Sequence, residues 1–430
     1  MTSWRYRLDD GAQRHRNVLI GGSPLKLFRL TDAGSRVVDL IEAGDAVAES
    51  GLVTSLLDAG AVHPVGAPSG RFTPSDVTIV MPAFGPVANV RDDAIIVDDG
   101  SDPPLADAAV RLDRNRGPGA ARNAGLEHVT TALVAFVDAD VHLTDGWLDA
   151  LLPHFDDDRV ALVAPRVRSA AGTSALDRYE AAHSPLDLGP RPSRVRAGSR
   201  ISYVPAAAVV CRVDSIREIG GFDETLRFGE DVDLVWRLDE SGRRVRYEPE
   251  SVVTHDPRPT WRAWFAQRVG YGSSAAPLSR RHPGALAPLR MSGWSVGAWV
   301  SGVLVHPILG ATIGAGSAAA LVRKLDDVPP RAAFLLAWRG NLAAGGQIAA
   351  AIRRVWWPIL LLPALRSRRA RSGLLLAAIA ARHPIRVVDD VAYSVGIWRG
   401  VVRERTAAPL MPEISSWPGR RSTSRRVGVR

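Results

Sequence analysis

Three pieces of one stretch decide the fold: AIIVDDGSD (residues 94–102), NRGPGAARNAGLE (residues 115–127) and ALVAFVDADV (residues 132–141). Two apolar runs each end in carboxylates, and a glycine-rich turn opening into a helix lies between them. Continuous apolar runs alternating with helices predict a mostly parallel α/β sheet covered on both faces. In such open sheets ligands bind beyond the carboxyl ends of the strands, so both acidic clusters point into one crevice. That is an arrangement for a nucleotide and a divalent cation.

Working outward, VTIVMPAF (residues 77–84) predicts a strand before this stretch, broken by Pro82. After it, WLDALLPHF (residues 147–155) predicts a helix and RVALVAPRV (residues 159–167) another strand. Farther on, GGFDETLRFGEDVDLVWRLDESG (residues 220–242) places a tight turn before Glu230, Asp231 and Asp233, on the first turn of a helix. Acids favour a helix N-terminus through the dipole alone, so capping is a competing reading of these three. Asp138 and Asp140, two apart at a strand end, have the spacing to hold Mg²⁺ or Mn²⁺ through hard oxygen ligands, with turn or cap residues as the alternative.

Composition bounds the function. A chain of 430 residues with 46% hydrophobic and 23% charged residues is a folded protein of two or three units. The single cysteine, Cys211, excludes an intrachain disulfide framework and a multi-cysteine zinc site, and it fits a reducing cytosolic compartment. The net charge of +9 is carried almost wholly by arginine, Lys26 and Lys324 being the only lysines. No recognisable nucleic-acid module accompanies it, and the late clusters RSRRAR (residues 366–371) and GRRSTSRR (residues 419–426) suit an anionic membrane surface.

The beginning, MTSWRYRLDD, is polar and lacks the apolar core of a signal peptide. Thr31 and Asp32 open a first helix with an apolar face of Val37, Val38, Leu40 and Ile41; a second runs near residues 46–59 and Gly60 ends it. SPLKLFRLTDAG (residues 23–34) and LVTSLLDAGAVHP (residues 52–64) resemble the small winged-helix, PqqD-like domains that recognise precursor peptides. A small helical cap on the next domain is the other reading.

VMPAF, IIVDDGS, NRGPGAARNAG, FVDAD, GGFDE and FGEDVDLVWRL follow one another as in family 2 glycosyltransferases of the GT-A fold, which residues 77–264 resemble. With the PqqD-like segment in front, the chain is similar to the glycosyltransferases of the mycofactocin system, which add glucose units to a peptide-derived redox cofactor. The resemblance implies a UDP-sugar donor, UDP-glucose, and a peptide-derived acceptor, with contact to a precursor peptide or maturation enzyme. It implies that Asp98 and Asp99 bind uracil and ribose, that Pro82 and Phe84 line the base slot, and that Asp140 is the direct metal ligand with Asp138 beside it. Gly117, Gly119, Arg122 and Asn123 then face the phosphates, though Arg122 also reads as an ordinary surface arginine. Matching the ED of the family motif makes Asp231 the base that takes the acceptor proton, with Glu230 supporting it. A single displacement implies inversion at the anomeric carbon. His255, in VVTHDPR, completes the metal shell or contacts phosphate in this reading, and is structural in the other. One departure stands out: only eleven residues separate Pro82 from Ala94, where the family has a full helix. Parallel crossovers need about a dozen residues or more, so the base side of the pocket is in question.

The last third changes character. Residues 291–322 contain no Asp, Glu, Lys or Arg, longer than the ~20 residues that span a bilayer. Spans at residues 294–322 and 334–352, flanked by Arg323, Lys324, Arg353 and Arg354, are the expectation, with a soluble helical bundle as the alternative. The expected organisation is a winged-helix-like domain at 1–66, a linker at 67–76, a GT-A domain at 77–285, an apolar helical, membrane-associated region at 286–405 and a basic disordered tail at 406–430. The expected location is the cell membrane with the catalytic domain cytoplasmic. Membrane polysaccharide or glycolipid glycosylation, and a degenerate scaffold without catalysis, are the competing functions.

Overall fold

The computed structural model describes residues 3–65, 70–86 and 91–415. The chain divides into two compact units, Met1–Trp261 and Arg262–Arg430.

The first unit opens with β1 (Ser3–Leu8), β2 (Gln13–His15), β3 (Val18–Gly21), β4 (Lys26–Arg29), α1 (Asp32–Ala43), β5 (Ala46–Ala48), α2 (Gly51–Ala59) and β6 (Val62–Val65). These form two three-stranded sheets, ordered β5-β1-β6 and β2-β3-β4. Thr31 caps α1 by accepting from the Gly34 amide, and Gly60 ends α2 in the left-handed region at φ 69°. The second helix is shorter than its sequence expectation. Ser50 is extended and caps Val53, so the residues before it are free to pair as β5 with β1. Leu19, Val38, Val53, Leu56 and Val62 close the small core.

This region is anchored on the larger sheet through buried charge. Arg244, 2% exposed, donates to Asp58 at 2.8 Å and to Asp157 at 2.6 Å. Arg200 reaches Asp9 at 3.1 Å, and Asp9 also meets buried His63 at 3.0 Å. Residues 66–69 of the expected linker lie outside the described residues. In the remainder, half-buried Phe72 lies edge-on to Phe155 at 6.4 Å.

The larger sheet is built from β7 (Val77–Ala83), β8 (Ala94–Asp98), β9 (Val110–Arg111), β10 (Leu133–Val137), β11 (Val141–His142), β12 (Val160–Ser169), β13 (Ser193–Val195), β14 (Ala208–Arg212) and β15 (Arg244–His255). Its order is β11-β15-β12-β14-β10-β7-β8-β9, with β13 beside β15. β10, β7, β8 and β9 run parallel, and antiparallel β14 then joins them to β12 and β15. The sheet is therefore mixed: β10, β7, β8 and β9 make a parallel acidic side, and β12 and β15 pair in parallel beyond β14. The acidic side suffices to place the ends of β8 and β10 on one edge, flanking the end of β7.

α3 (Pro118–Leu126) follows the glycine-rich turn and packs on β7 and β8. α4 (Ala175–His183), α5 (Val213–Glu218) and α6 (Glu230–Glu240) complete the unit. The helix expected at residues 147–155 is replaced by turns and a short 3-10 segment at Leu152–Asp156. Pro153 has no N–H to continue an α-helical ladder, and the amides there reach back three residues, as from His154 to Leu151.

The second unit is helical: α7 (Trp261–Ser273), α8 (Ala275–Arg281), α9 (Gly293–Leu304), α10 (Pro307–Lys324), α11 (Pro330–Ala351), α12 (Trp357–Ala364), α13 (Arg368–Ile379) and α14 (Pro384–Glu404). The expected boundary at residue 286 falls inside it. α7 and α14 cross backbone to backbone; a Cβ on Gly396 would lie 2.1 Å from the Val269 carbonyl oxygen. Arg353, buried within a turn of π-helix (Ile352–Trp356), bonds buried Asp390 at 2.7 Å. The expected spans do not form. The uncharged run breaks at Val305 and His306, where Pro307 starts a new helix, and no helix among the described residues is long and apolar enough to cross a membrane.

Candidate active site

Asp98, fully buried at the end of β8, is consumed by the loop that follows. It accepts from the Ser101 amide at 2.8 Å, the Leu105 amide at 3.1 Å and the Arg111 guanidinium at 2.8 Å. Burial pushes its carboxyl up, but Ser101, Leu105 and Arg111 outweigh that and hold it below the usual carboxylate range. Asp99 accepts from the amides of Arg116 at 2.7 Å and Gly117 at 2.8 Å, tying the strand end to the glycine-rich turn. Gly100 sits at φ 74°, and a Cβ there would lie 2.4 Å from the Arg114 carbonyl carbon, so only glycine lets the two loops close.

Gly117 precedes α3 at φ 97° with open space beside its α-carbon. Gly119 lies against Phe222 and Asp223. Asn123 holds the GGFD turn: its amide group bonds both the N–H and the carbonyl of Phe222, at 2.8 and 2.9 Å. Pro82 is half-buried on β7, and Phe84, just beyond that strand, is 61% exposed. The connection from Ala83 to β8 includes residues 87–90, which lie outside the described residues. Gly85 on its near side donates to the buried Ser101 hydroxyl at 2.9 Å.

Arg122 is the centre of the arrangement and not a surface residue. It is 3% exposed, donates to Asp138 at 2.6 Å and to Glu230 at 2.9 Å, and lies 5.3 Å from the Phe222 ring centroid. One guanidinium thus joins the end of β10 to the start of α6, with Glu230 standing 108 residues beyond Arg122 itself. Burial would lower its pKa, but Asp138 and Glu230 raise it above the ordinary value, so it is a fixed cation.

Glu230 and Asp231 begin α6 behind Gly229, itself at φ 81°. Burial, and then the adjacent Asp231 carboxylate, push Glu230 up to about 7 against the pull of Arg122. Asp231 is raised as well, chiefly by burial. Its oxygens accept from its neighbour Val232 at 2.8 Å and from the Ala206 amide at 3.4 Å, and among the described residues no side-chain cation is bonded to them. A half-buried carboxylate with a raised pKa and spare lone pairs is equipped to accept a proton near neutral pH. Asp233, by contrast, is paired with Arg237 at 2.6 Å within the helix.

Asp140 lies across the β11–β15 pairing from His255, 3.3 Å away, with Arg258 at 3.4 Å. Burial raises its carboxyl and is outweighed by His255 and Arg258, which hold it below the usual range. The described residues contain no group of three acidic, histidine or cysteine side chains able to hold a metal by themselves. Asp138 turns to Arg122, so Asp138, Asp140 and His255 do not converge as one three-ligand set. Arg111 and Arg258 are charged neighbours of the site that motif reading passed over; Arg258 stands three residues beyond His255, and Arg111 has no local signal at all. Cys211, buried in β14, has its thiol pushed up by burial and is inert.

A half-parallel sheet with acidic strand ends and an acid-tipped helix clasped by one arginine defines a GT-A glycosyltransferase. Comparison with known proteins leads the same way. The sequence profile described as "Glycosyl transferase family 2" matches residues 87–219. The chain is 40% identical over 453 aligned positions to the "Pre-mycofactocin glycosyltransferase" of Mycobacterium tuberculosis, covering 93% of this chain and 94% of that one. It is 29% identical to the "Succinoglycan biosynthesis protein ExoU" of Rhizobium meliloti, over 36% of this chain and 50% of that one. Among solved structures, the "Mannosyltransferase PcManGT from Pyrobaculum calidifontis in complex with GDP-Man and Mn2+" matches with a TM-score of 0.41 at 16% identity, over 77% of this chain and 89% of that one. The chain belongs to family 2 of the glycosyltransferases, in its mycofactocin-system group.

Proposed function

We propose that the protein transfers glucose from UDP-glucose to a hydroxyl of a peptide-derived acceptor, with inversion, in glycosylation of the redox cofactor mycofactocin. The observation that carries this reading is the Asp138–Arg122–Glu230 bridge, which draws the donor end of the sheet and the acid helix into one site. Asp231 takes the acceptor hydroxyl proton as that oxygen bonds to the anomeric carbon. The bond from this carbon to the diphosphate breaks with its electron pair on the leaving group. Glu230 holds the acceptor in place beside it.

Asp140 and His255 fit a divalent cation without a third protein ligand, because Mg²⁺ and Mn²⁺ in phosphate sites take one or two carboxylates plus the substrate's own oxygens. Bound there, the cation would neutralise charge building on the diphosphate. Phe84, Pro82 and the loops held by Asp98 and Asp99 form the base side of the donor pocket in this reading, and the small N-terminal region contacts a precursor peptide or maturation enzyme. The late basic clusters support a location at the cytoplasmic face of the cell membrane in this reading.

The test is UDP-glucose titration with and without Mn²⁺, followed by transfer to the peptide-derived acceptor. Metal-dependent binding lost in Asp140→Ala, and transfer lost in Asp231→Asn, are the expected results. The short Pro82–Ala94 connection favours a second reading, a scaffold without catalysis, and absence of metal-dependent donor binding would establish it.

A further inference from the structure

The second unit leaves apolar side chains on its outside at two helix elbows. α9 and α10 meet at Val305 and His306, with Val305 and Ile308 each 69% exposed. α12 and α13 meet beyond Leu362, 71% exposed, and Leu365, 75% exposed. Arg369, in the first turn of α13, donates to the Leu304 carbonyl at 2.9 Å, so the two elbows abut. Residues 357–382 contain five arginines and no aspartate or glutamate. Arg366, Arg368, Arg369 and Arg371 gather at the N-terminus of α13, and all four are exposed.

Folding does not account for that placement. A helix N-terminus is the positive end of the dipole, so four cations there repel it and one another. An anionic partner reverses the sign of the effect. Exposed leucines just before the arginines narrow the partner further. Nucleic acid offers phosphates but nothing for Leu362 and Leu365, whereas a bilayer surface offers phosphates and hydrocarbon at adjacent depths.

We propose that this double elbow is a docking face for an anionic phospholipid surface. Leu362, Leu365, Val305 and Ile308 enter between headgroups, and the four arginines pair with lipid phosphates. The helices lie along the surface and do not cross it. This rests on the membrane-side location proposed above but not on sugar transfer, and it is measured without transfer, so either can fail alone.

The experiment sediments the full chain with vesicles of phosphatidylcholine alone or mixed with phosphatidylglycerol. Binding to the mixed vesicles should exceed binding to pure phosphatidylcholine by about tenfold or more and weaken as salt is raised. Leu362→Ser with Leu365→Ser, and separately Arg366→Gln with Arg368→Gln, should each lose most of it while circular dichroism shows the helices intact. The second pair spares Arg369 and its bond to Leu304. Wild type left in the supernatant, equal binding to both vesicle types, or variants that bind like wild type would overturn the proposal. So would a wild-type dimer that the leucine variant turns into a monomer without any vesicle binding, since the face would then join two copies of the chain.

Discussion

Asp98 and Asp99 at the end of β8, and Asp138 and Asp140 at the end of β10, lie on the same edge of one sheet, yet their surroundings differ in kind. The first pair is bonded mainly to backbone amides: Ser101 and Leu105 for Asp98, Arg116 and Gly117 for Asp99. The second pair meets side-chain cations and histidine: Arg122 for Asp138, His255 and Arg258 for Asp140. Backbone amides cannot leave, so the β8 acids shape the loops of the site. Partners on flexible side chains can be exchanged when a ligand arrives, so the β10 acids remain available for charge.

The sharpest break of this comparison lies outside both pairs, at Asp231, whose oxygens accept from the Val232 and Ala206 amides. Asp231→Asn should reduce kcat by roughly a thousandfold, the scale of losing a positioned general base, while UDP-glucose binding measured by calorimetry stays unchanged. Arg122→Ala cuts the bridge from Asp138 to Glu230. Transfer should drop about a hundredfold, and the acidic limb of the kcat profile should move to higher pH, since both α6 carboxylates lose their cation. Melting curves separate this from simple unfolding.

Asp98→Ala tests the loop-building side. It removes a hub of three donors and should cost about 1–3 kcal/mol in chemical denaturation, with the larger kinetic effect on the KM for donor. The pH dependence has a fixed sign. Asp98 is held below its ordinary value, so its contribution is intact above about pH 4 and is lost as pH falls through the folded-state pKa. The smallest effect belongs to Glu230→Gln. Removing the carboxylate next to Asp231 makes ionisation of Asp231 easier, so the acidic limb of kcat should shift to lower pH by less than about one unit. A shift upward, or none, would show that Glu230 and Asp231 do not titrate together.

Local sequence carried much of the architecture. Apolar runs closed by carboxylates specify strands wherever they fold, and β7, β8, β10, β12 and α6 lie where their patterns place them. Thr31, Ser50 and Gly60 act within a turn of their own position, through caps and a left-handed φ that depend on nothing distant. Where local chemistry opposed the pattern it won: Pro153 lies in a 3-10 segment where hydrophobicity alone predicts an α-helix, and Pro307 begins a new helix where it predicts a continuous one.

Partnership was decided only by the tertiary structure. Nothing near Arg122 in sequence announces that it will bind Glu230, because the meeting depends on β10, β7 and α3 stacking before α6 arrives. Nothing in VDDGSD announces that Asp98 will be spent on Arg111 and two amides, because a carboxylate written at a strand end has the same local signature whether it serves a loop or a ligand. The sequence by itself determined which acids reach the rim of the sheet, since alternation and chain direction are local. Which of those acids stay open for chemistry was settled by packing, since a pKa depends on burial and on charges brought together from distant parts of the chain.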